Sequence, residues 1–265
     1  MANEVKQKEQ SNVVAFDKNL LLQDAGSASE NMSQDDMMIP RLNILQAQSP
    51  MAMKADAAYV KGAEAGFIVD TVSNEIIDGE KGITVVPISY RRTHLEWKPD
   101  RGGLVKDHGN DPFILTTCTQ DKKGKYFTDK GNQIVPTGEY MVYVIDGESF
   151  SPALISMSSS QLKKSRRWNS MMNRLQVPSP DGKGVMNPAM FYTAYQMTTI
   201  PEKNDEGTWF GWNVEILYDA KSGGIIENLK NGSDIYLAAR DFKSKVAAGE
   251  VKVKADDLDD DKIPF

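Results

Sequence analysis

The sequence contains very little of what metal sites and redox chemistry need. Its 265 residues include one cysteine, Cys118, and two histidines, His94 and His108. One thiol cannot form an intrachain disulfide or a thiolate cluster, and two imidazoles disfavour a histidine-rich metal site. We therefore expect no metal and no cofactor. Cys118 lies in the β-like run FILTTCTQ, which predicts a small residue on a strand.

Long apolar runs are missing as well. No stretch approaches the roughly 18 apolar residues that cross a bilayer. The first residues, MANEVKQKEQSN, lack the apolar centre of a signal peptide. We therefore expect a cytoplasmic protein with no membrane partner.

The familiar catalytic motifs are also absent. The sequence contains no GxxxxGK[ST], GxGxxG, HExxH, GxSxG or DxDxDG spacing. PDGKGV (180–185) lacks the first glycine and the Ser/Thr of a phosphate-binding loop, and the two DGE triplets (78–80 and 146–148) are typical of turns. We predict no enzymatic activity and no catalytic residues. An enzyme that uses scattered acids, for instance a nuclease, is an open alternative.

Acidic residues are concentrated at the two ends of the chain, which has a net charge of −6. Residues 1–36 hold seven acids and three bases, for −4, and residues 256–262 hold five acids and one base, again for −4. Residues 37–255 therefore carry about +2. An acidic total does not exclude a nucleic-acid binder when the middle of the chain is mildly basic.

Composition divides the chain into three parts. Residues 1–37 are polar and predict a disordered arm, residues 38–249 predict one domain, and residues 250–265 predict an acidic tail. The middle part alternates short β-rich runs with turn residues, which predicts a mainly β barrel or sandwich. The strand candidates are 66–72, 82–97, 112–119, 139–146, 151–157, 189–200 and 208–218. Two basic, glycine-rich segments, 98–111 and 120–133, are the expected hairpin tips.

Two helices complete the predicted domain. Residues 158–176 begin with serines suited to N-capping and end before Pro178. At about 100° per residue, Lys163, Arg167 and Arg174 share one face of this helix, next to an apolar stripe. The stripe consists of Trp168, Met171, Met172 and Leu175. A second helix is expected over 233–249.

Basic residues interleaved with aromatic residues are the strongest functional signal. Cations can follow phosphates while flat rings stack on bases, as in proteins that bind single-stranded nucleic acid. The pattern occurs in YRRTHLEWK (90–98), KKGKYF (122–127) and KKSRRW (163–168). The candidate DNA-binding residues are Tyr90, Arg91, Arg92, Trp97, Lys98, Lys122, Lys123, Lys125, Tyr126, Phe127, Lys163, Lys164, Arg166, Arg167, Tyr192 and Trp209.

Strand alternation sorts some of the aromatic rings. In 208–218 it places Trp209 on the open face, opposite the predicted core residues Phe210, Trp212, Val214, Ile216 and Tyr218. In 189–200 it places Tyr192 outward with Ala194, and Phe191, Tyr195 and Met197 inward. Trp168 is expected in the core. For Tyr90 and Trp97 both faces of the strand are partly apolar, so the pattern decides neither.

The last residues, KADDLDDDKIPF, combine acidic charge with a terminal apolar group. Proline stiffens the segment, Ile and Phe supply apolar area, and the aspartates and terminal carboxylate suit a basic-rimmed pocket on a partner. This ending resembles the acidic Asp-Asp-Asp-Ile-Pro-Phe tip of bacterial single-stranded DNA-binding proteins, except that Lys262 stands before Ile263. The resemblance implies a partner-binding tail formed by Asp256, Asp257, Asp259, Asp260, Asp261, Ile263, Pro264 and Phe265.

The segments IPRLNILQAQSP (39–50) and GITVVPISYRRTHLEWKP (82–99) are similar to phage single-stranded DNA-binding proteins. This resemblance implies an oligonucleotide/oligosaccharide-binding (OB) barrel. Because a minimal OB domain has roughly a hundred residues, the barrel must be elaborated, with the 158–176 helix inserted.

The function implied is sequence-independent binding of single-stranded DNA in replication, recombination and repair, in the host cytoplasm if the protein is phage-encoded. The tail would compete with DNA in cis and recruit replication partners. The sequence leaves open a phage single-strand annealing protein, or an adaptor that docks through the tail and binds no DNA. A homo-oligomer is compatible with either.

Overall fold

The computed structural model describes residues 38–99, 102–205, 207–217, 226 and 229–250. The predicted N-terminal arm, Tyr218 and the predicted acidic tail beyond residue 250 lie outside this part. The first strands are β1 (Leu42–Ile44), β2 (Ile68–Asp70), β3 (Ile76–Ile77), β4 (Ile83–Trp97), β5 (Leu104–Asp107), β6 (Thr119–Gln120) and β7 (Tyr126–Phe127). There follow β8 (Gln133–Asp146), β9 (Ser149–Ser158), helix α1 (Leu162–Arg174), β10 (Val177–Pro178), β11 (Val185–Met186), β12 (Tyr195–Asn204), β13 (Gly207–Ile216) and helix α2 (Gly232–Ala248).

Two long antiparallel strands, β4 and β8, organise an eight-stranded sheet. They pair from Thr84–Ile145 to Trp97–Gln133, with a register shift between Pro87 and Ser89. A bulge of this kind bends a strand and increases its twist. The first residues of β4 pair with β12, which pairs with β13, and the last residues of β8 pair with β9. The opposite ends of the long strands pair with β5 and β7, and β7 pairs with β6.

The sheet therefore has two regions. We call the first the body: β9, β12, β13, the first half of β4 and the second half of β8, with the two helices. We call the second the arm, which comprises residues 93–99 and 102–137 around β5, β6 and β7. It is a different part of the chain from the N-terminal arm predicted over residues 1–37. The small β1–β2–β3 sheet packs on the body.

The body sheet is curled into a half-barrel, and residues 40–46 run between its two edge strands. Pro40 O accepts a hydrogen bond from Leu154 N of β9 at 2.8 Å. At the other edge the Gln46 side chain bonds both backbone groups of Phe210 in β13, at 2.9 and 3.0 Å. Backbone groups on both edges are thereby satisfied by one segment, as buried polar groups require.

Both faces of the body sheet are covered. On one face Trp168 of α1 packs with Tyr140, Tyr195, Met197 and Trp212. On the other face α2 covers a second cluster, listed here: Val86, Ile88, Met141, Tyr143, Leu154, Phe191, Ala194, Ile226, Ile235 and Ala239. The expected mainly β, elaborated barrel with an inserted amphipathic helix and a C-terminal helix is confirmed.

The arm has a much smaller core. Leu95, Trp97 and Val135 are buried there, with Leu104 packed against them. The two predicted hairpin tips lie in this region: residues 98–111 contain β5, and residues 120–133 contain β7.

Several local predictions about strands are wrong. Residues 112–117 of the predicted 112–119 strand form a 3-10 turn, because Asp111 caps it through the Phe113 N–H and Pro112 suits its first position. Cys118 therefore follows a turn instead of lying on a strand. Residues 190–192 also form a 3-10 turn, with β12 beginning only at Tyr195. There Phe191 packs edge-on against Tyr236 of α2, so tertiary packing overrides strand propensity and also buries Ala194.

Candidate nucleic-acid interface

Helix α1 is fixed to the sheet by its buried face. The Trp168 side chain is fully buried and stacks on Tyr140, with ring centroids 4.2 Å apart. The Tyr140 hydroxyl lies 2.7 Å from Ser165 Oγ and 3.0 Å from Asn169 Oδ1. Burial raises the pKa of the Tyr140 hydroxyl, so this hydroxyl stays protonated. A Cβ on Gly138 would lie 2.6 Å from Ser165 Oγ, so the close approach of α1 needs a glycine at this position.

The opposite face of α1 is basic and exposed. We call this set the α1 cations, listed here: Lys163, Arg166, Arg167 and Arg174. None of them forms an ion pair with a carboxylate within residues 38–99, 102–205, 207–217, 226 and 229–250. Residues 151–180 hold five bases and no acid, so no carboxylate of this segment offsets their charge. The face predicted from helical periodicity is confirmed as a solvated cationic surface.

Glu202 connects this helix to the β12–β13 hairpin. Its carboxylate forms an ion pair with Lys164 and accepts hydrogen bonds from Trp209 Nε1 at 2.7 Å and Gln161 Nε2 at 3.1 Å. Gln161 Oε1 in turn accepts a bond from the Trp212 N–H at 2.9 Å. Trp209 is thus half-buried and held in place beside the start of α1. Gln161, not a serine side chain, occupies the N-cap position.

Tyr90 and Arg92 lie on the same face of β4 as α1. Tyr90 is half-buried, with its ring centroid 4.9 Å from that of Tyr140. Arg92 is half-buried and close enough for its charge to act on the Tyr140 hydroxyl. The structure therefore brings together seven of the candidate residues around α1, listed here: Tyr90, Arg92, Lys163, Lys164, Arg166, Arg167 and Trp209.

Arg91 and Tyr192 point to the opposite face of the sheet. Arg91 bonds Glu139 at 2.5 Å and Asp107 at 3.0 Å, and Glu139 also pairs with the buried Arg41 at 3.4 Å. This places Arg91 in a structural ion-pair network. Tyr192 is half-buried, edge-on to Tyr236 of α2. These two candidates do not share a surface with α1.

The remaining candidates are in the arm. Trp97 is 5% exposed and forms part of the arm core, so its ring offers no open face for stacking. Lys98 is exposed. Lys122, Lys123 and Lys125 are exposed at the β6–β7 turn, where Asp121 Oδ1 accepts the backbone N–H groups of the last two at 2.9 and 2.8 Å. Tyr126 and Phe127 follow on β7 and are half-buried.

Sequence reasoning missed three residues. Glu202 and Gln161 hold Trp209 and Lys164, and the available signal was an acid directly across the β12–β13 hairpin from a tryptophan. Phe113 was assigned to a strand, but it is 66% exposed on its 3-10 turn. The Asp111–Pro112 pair, a helix-starting combination, was the signal for that turn.

The described residues contain no group of three or more His, Cys, Asp and Glu side chains placed to hold a metal ion. No helix in this part is long and apolar enough to cross a membrane. The tail residues assigned to partner binding lie outside the described residues.

A family model matches residues 8–252, nearly the whole chain; its description is Pam3 phage gp34-like protein. The chain belongs to this family. No curated protein and no solved structure matches it. The family places the chain among phage proteins, and its description names no activity.

Proposed function

We propose that this protein binds single-stranded DNA without sequence preference, through α1 and the sheet surface beside it. The observation that carries the proposal is the row of α1 cations, exposed and without carboxylate partners in the described part of the chain. Four long cationic side chains along a helix of 13 residues can follow a phosphate backbone. A helix that only solubilised the protein would more often mix both charge signs on its outer face.

Aromatic rings at the border of this surface support the same function. Tyr90 and Trp209 are half-buried rings. Tyr90 lies against Tyr140, on which Trp168 of α1 stacks, and Trp209 is held by Glu202, the partner of Lys164. A base stacked on such a ring contributes on the order of 1–3 kcal/mol to binding. Two rings together with the cations are enough for useful affinity.

The acidic tail has two roles in this proposal. When DNA is absent, its aspartates bind the α1 cations. Ile263–Pro264–Phe265, with the terminal carboxylate, recruits replication or recombination proteins. Deleting residues 255–265 should therefore tighten DNA binding at low salt, where electrostatic competition is strongest. Unchanged low-salt affinity of the truncated protein would exclude the competition in cis.

The test is a titration of the protein with fluorescently labelled oligo-dT at low and high salt, read by anisotropy and by tryptophan quenching. We expect binding whose affinity falls steeply with salt, because neutralised phosphates release counterions. Absence of binding at low salt would contradict the proposal. Magnesium-dependent degradation of the oligonucleotide would show a nuclease, and accelerated pairing of complementary strands would show an annealing protein.

A further inference from the structure

Three donors from the start of α1 and from β13 converge on one carboxylate, that of Glu202. Lys164 Nζ forms an ion pair with its Oε1, while Trp209 Nε1 at 2.7 Å and Gln161 Nε2 at 3.1 Å both donate to its Oε2. A Cβ on Gly211 would lie 2.9 Å from Oε2, so a glycine here leaves the space that the carboxylate fills. These three donors, which we call the Glu202 donors, thus form a site for one anionic group.

The Glu202 donors border the cationic surface of α1. Lys164 follows Lys163 in the helix, and it lines a cavity between α1 and the β12–β13 hairpin together with the exposed Arg167. The side chains of Lys164 and Glu202 are 21% and 20% exposed, so their ion pair reaches solvent. Lys164 Nζ has almost no surface of its own. A group that takes the place of the carboxylate nevertheless meets this atom directly, because Glu202 already contacts it.

A phosphate of a nucleic-acid strand suits the same donors. Lysine forms charge-assisted hydrogen bonds with carboxylate and phosphate alike, and glutamine side chains also bond phosphate oxygens. A strand already held by the α1 cations brings its next phosphate at a high effective concentration, which a free anion lacks. Pro201 and Lys203 on either side of Glu202 are exposed, so its side chain has open solvent to turn into.

We propose that the Glu202 donors bind one phosphate of a single strand, and that the Glu202 carboxylate occupies this site in the free protein. The inference rests on the proposed function and adds a phosphate site to it. When the strand binds, its phosphate takes over the three donors and the carboxylate moves into water. Trp209 Nε1 stays bonded throughout, so the indole keeps its orientation, as a ring that stacks on a base requires.

The first measurement is the affinity of the full chain with Glu202→Gln for labelled oligo-dT. The amide keeps the size of the side chain and an acceptor for Trp209 Nε1, but a neutral acceptor holds Lys164 less strongly. We expect binding about 2- to 10-fold tighter than wild type at low salt, the fold-change of one net hydrogen bond. The matched control is Glu215→Gln, which removes the same charge from an exposed position on β13 and should change the affinity less.

The second measurement follows the indole N–H signals of the four tryptophans by proton–nitrogen NMR, with Trp209→Phe to identify the Trp209 signal. In the free proteins this signal should differ between wild type and Glu202→Gln, because the N–H bonds a carboxylate in one and an amide in the other. With saturating oligo-dT the two signals should coincide, because a phosphate accepts the bond in both. Inorganic phosphate at the same phosphate concentration is the control and should leave the wild-type signal in place.

Three results overturn the inference while leaving single-strand binding intact. One is Glu202→Gln binding that is no tighter than that of Glu215→Gln. Another is a Trp209 signal that still differs between the two bound proteins, since Glu202 then keeps its place. The third is inorganic phosphate alone shifting the wild-type signal to its bound position, which contradicts the assignment to a strand.

Thermal unfolding of each variant verifies the fold. If Glu202→Gln is unfolded, the wild-type protein decides alone, and a Trp209 signal that saturating oligo-dT does not move overturns the inference. Absence of oligo-dT binding by the wild type overturns the proposed function together with the inference.

Discussion

The body and the arm share the two long strands β4 and β8, but they are stabilised differently. In the body, the sheet is covered on both faces, and large rings such as Trp168 and Tyr195 are fully buried. In the arm, one small cluster around Trp97 is accompanied by polar contacts. Apolar burial is the larger stabilising contribution per side chain, so the body should unfold as one unit and the arm should open on its own.

The polar contacts of the arm centre on two carboxylates. Asp107 accepts bonds from Thr93 and from the Gly109 N–H, and it pairs with Arg91. Glu96 lies 2.7 Å from His108 Nε2 and from Asn132 Nδ2. These bonds connect the arm loops to β4. The difference between the two regions can be tested by substituting residues that stabilise the body and then residues that stabilise the arm.

The largest effect is expected from Trp168→Ala. Removal of a fully buried Trp that joins α1 to the sheet should lower the free energy of unfolding by about 3–5 kcal/mol. Urea denaturation followed by far-UV circular dichroism measures it. Trp168→Phe is the control and should lose less, since the stack on Tyr140 is kept. A loss below about 1 kcal/mol for the alanine variant would contradict the assignment of Trp168 to the core.

Trp97→Ala should act locally. The arm core has few members, so the variant should lose hydrogen-exchange protection in β5 and at the arm end of β8 while α2 keeps its protection. Exchange followed by mass spectrometry resolves the two regions. Equal loss of protection in α2 would mean that arm and body form one cooperative unit.

Acid should weaken the arm before the body. Burial alone would raise the pKa of Glu96, but hydrogen bonds from Asn132 and His108 outweigh it and hold the pKa below the usual 4.5. Burial likewise opposes the bonds from Thr93, Gly109 and Arg91, which hold the pKa of Asp107 below 3.8. A depressed native pKa stabilises the folded form above the unfolded pKa and ceases to do so as pH falls through the native value.

We therefore expect exchange protection in the arm to decrease as the pH falls from about 5 to about 3, after correction for intrinsic exchange rates. Glu96→Gln and Asp107→Asn should each flatten this dependence. The amides of α2 serve as the internal control. The same pH profile in both variants and in the wild type would exclude these carboxylates as the cause.

Features that follow from one face of a helix or strand, through the periodicity of its residues, were predictable from the sequence. The β4, β9 and β13 strands, both helices, the buried ring of Trp168 and the cationic face of α1 follow from period and composition. The roles of Arg91 and Tyr192 were not predictable from alternation. Asp107 and Glu139 each pair with Arg91, and Tyr236 of α2 packs against Tyr192, on a sheet face that alternation alone leaves open. The bond of Glu202 with Gln161 is equally non-local, since the two residues are 41 positions apart in the chain.

The central claim is that the α1 cations bind the phosphate backbone. The most direct test measures the salt dependence of oligo-dT affinity for the triple variant Lys163→Gln/Arg166→Gln/Arg167→Gln. The matched control, Lys122→Gln/Lys123→Gln/Lys125→Gln, removes the same charge from the arm, where Asp121 already offsets part of it. At about 0.7 per phosphate contact, the log–log salt slope of the α1 variant should become shallower by about 2, and its low-salt affinity should fall more than that of the arm variant. Wild-type affinity and slope in the α1 variant, or a loss confined to the arm variant, would contradict the claim.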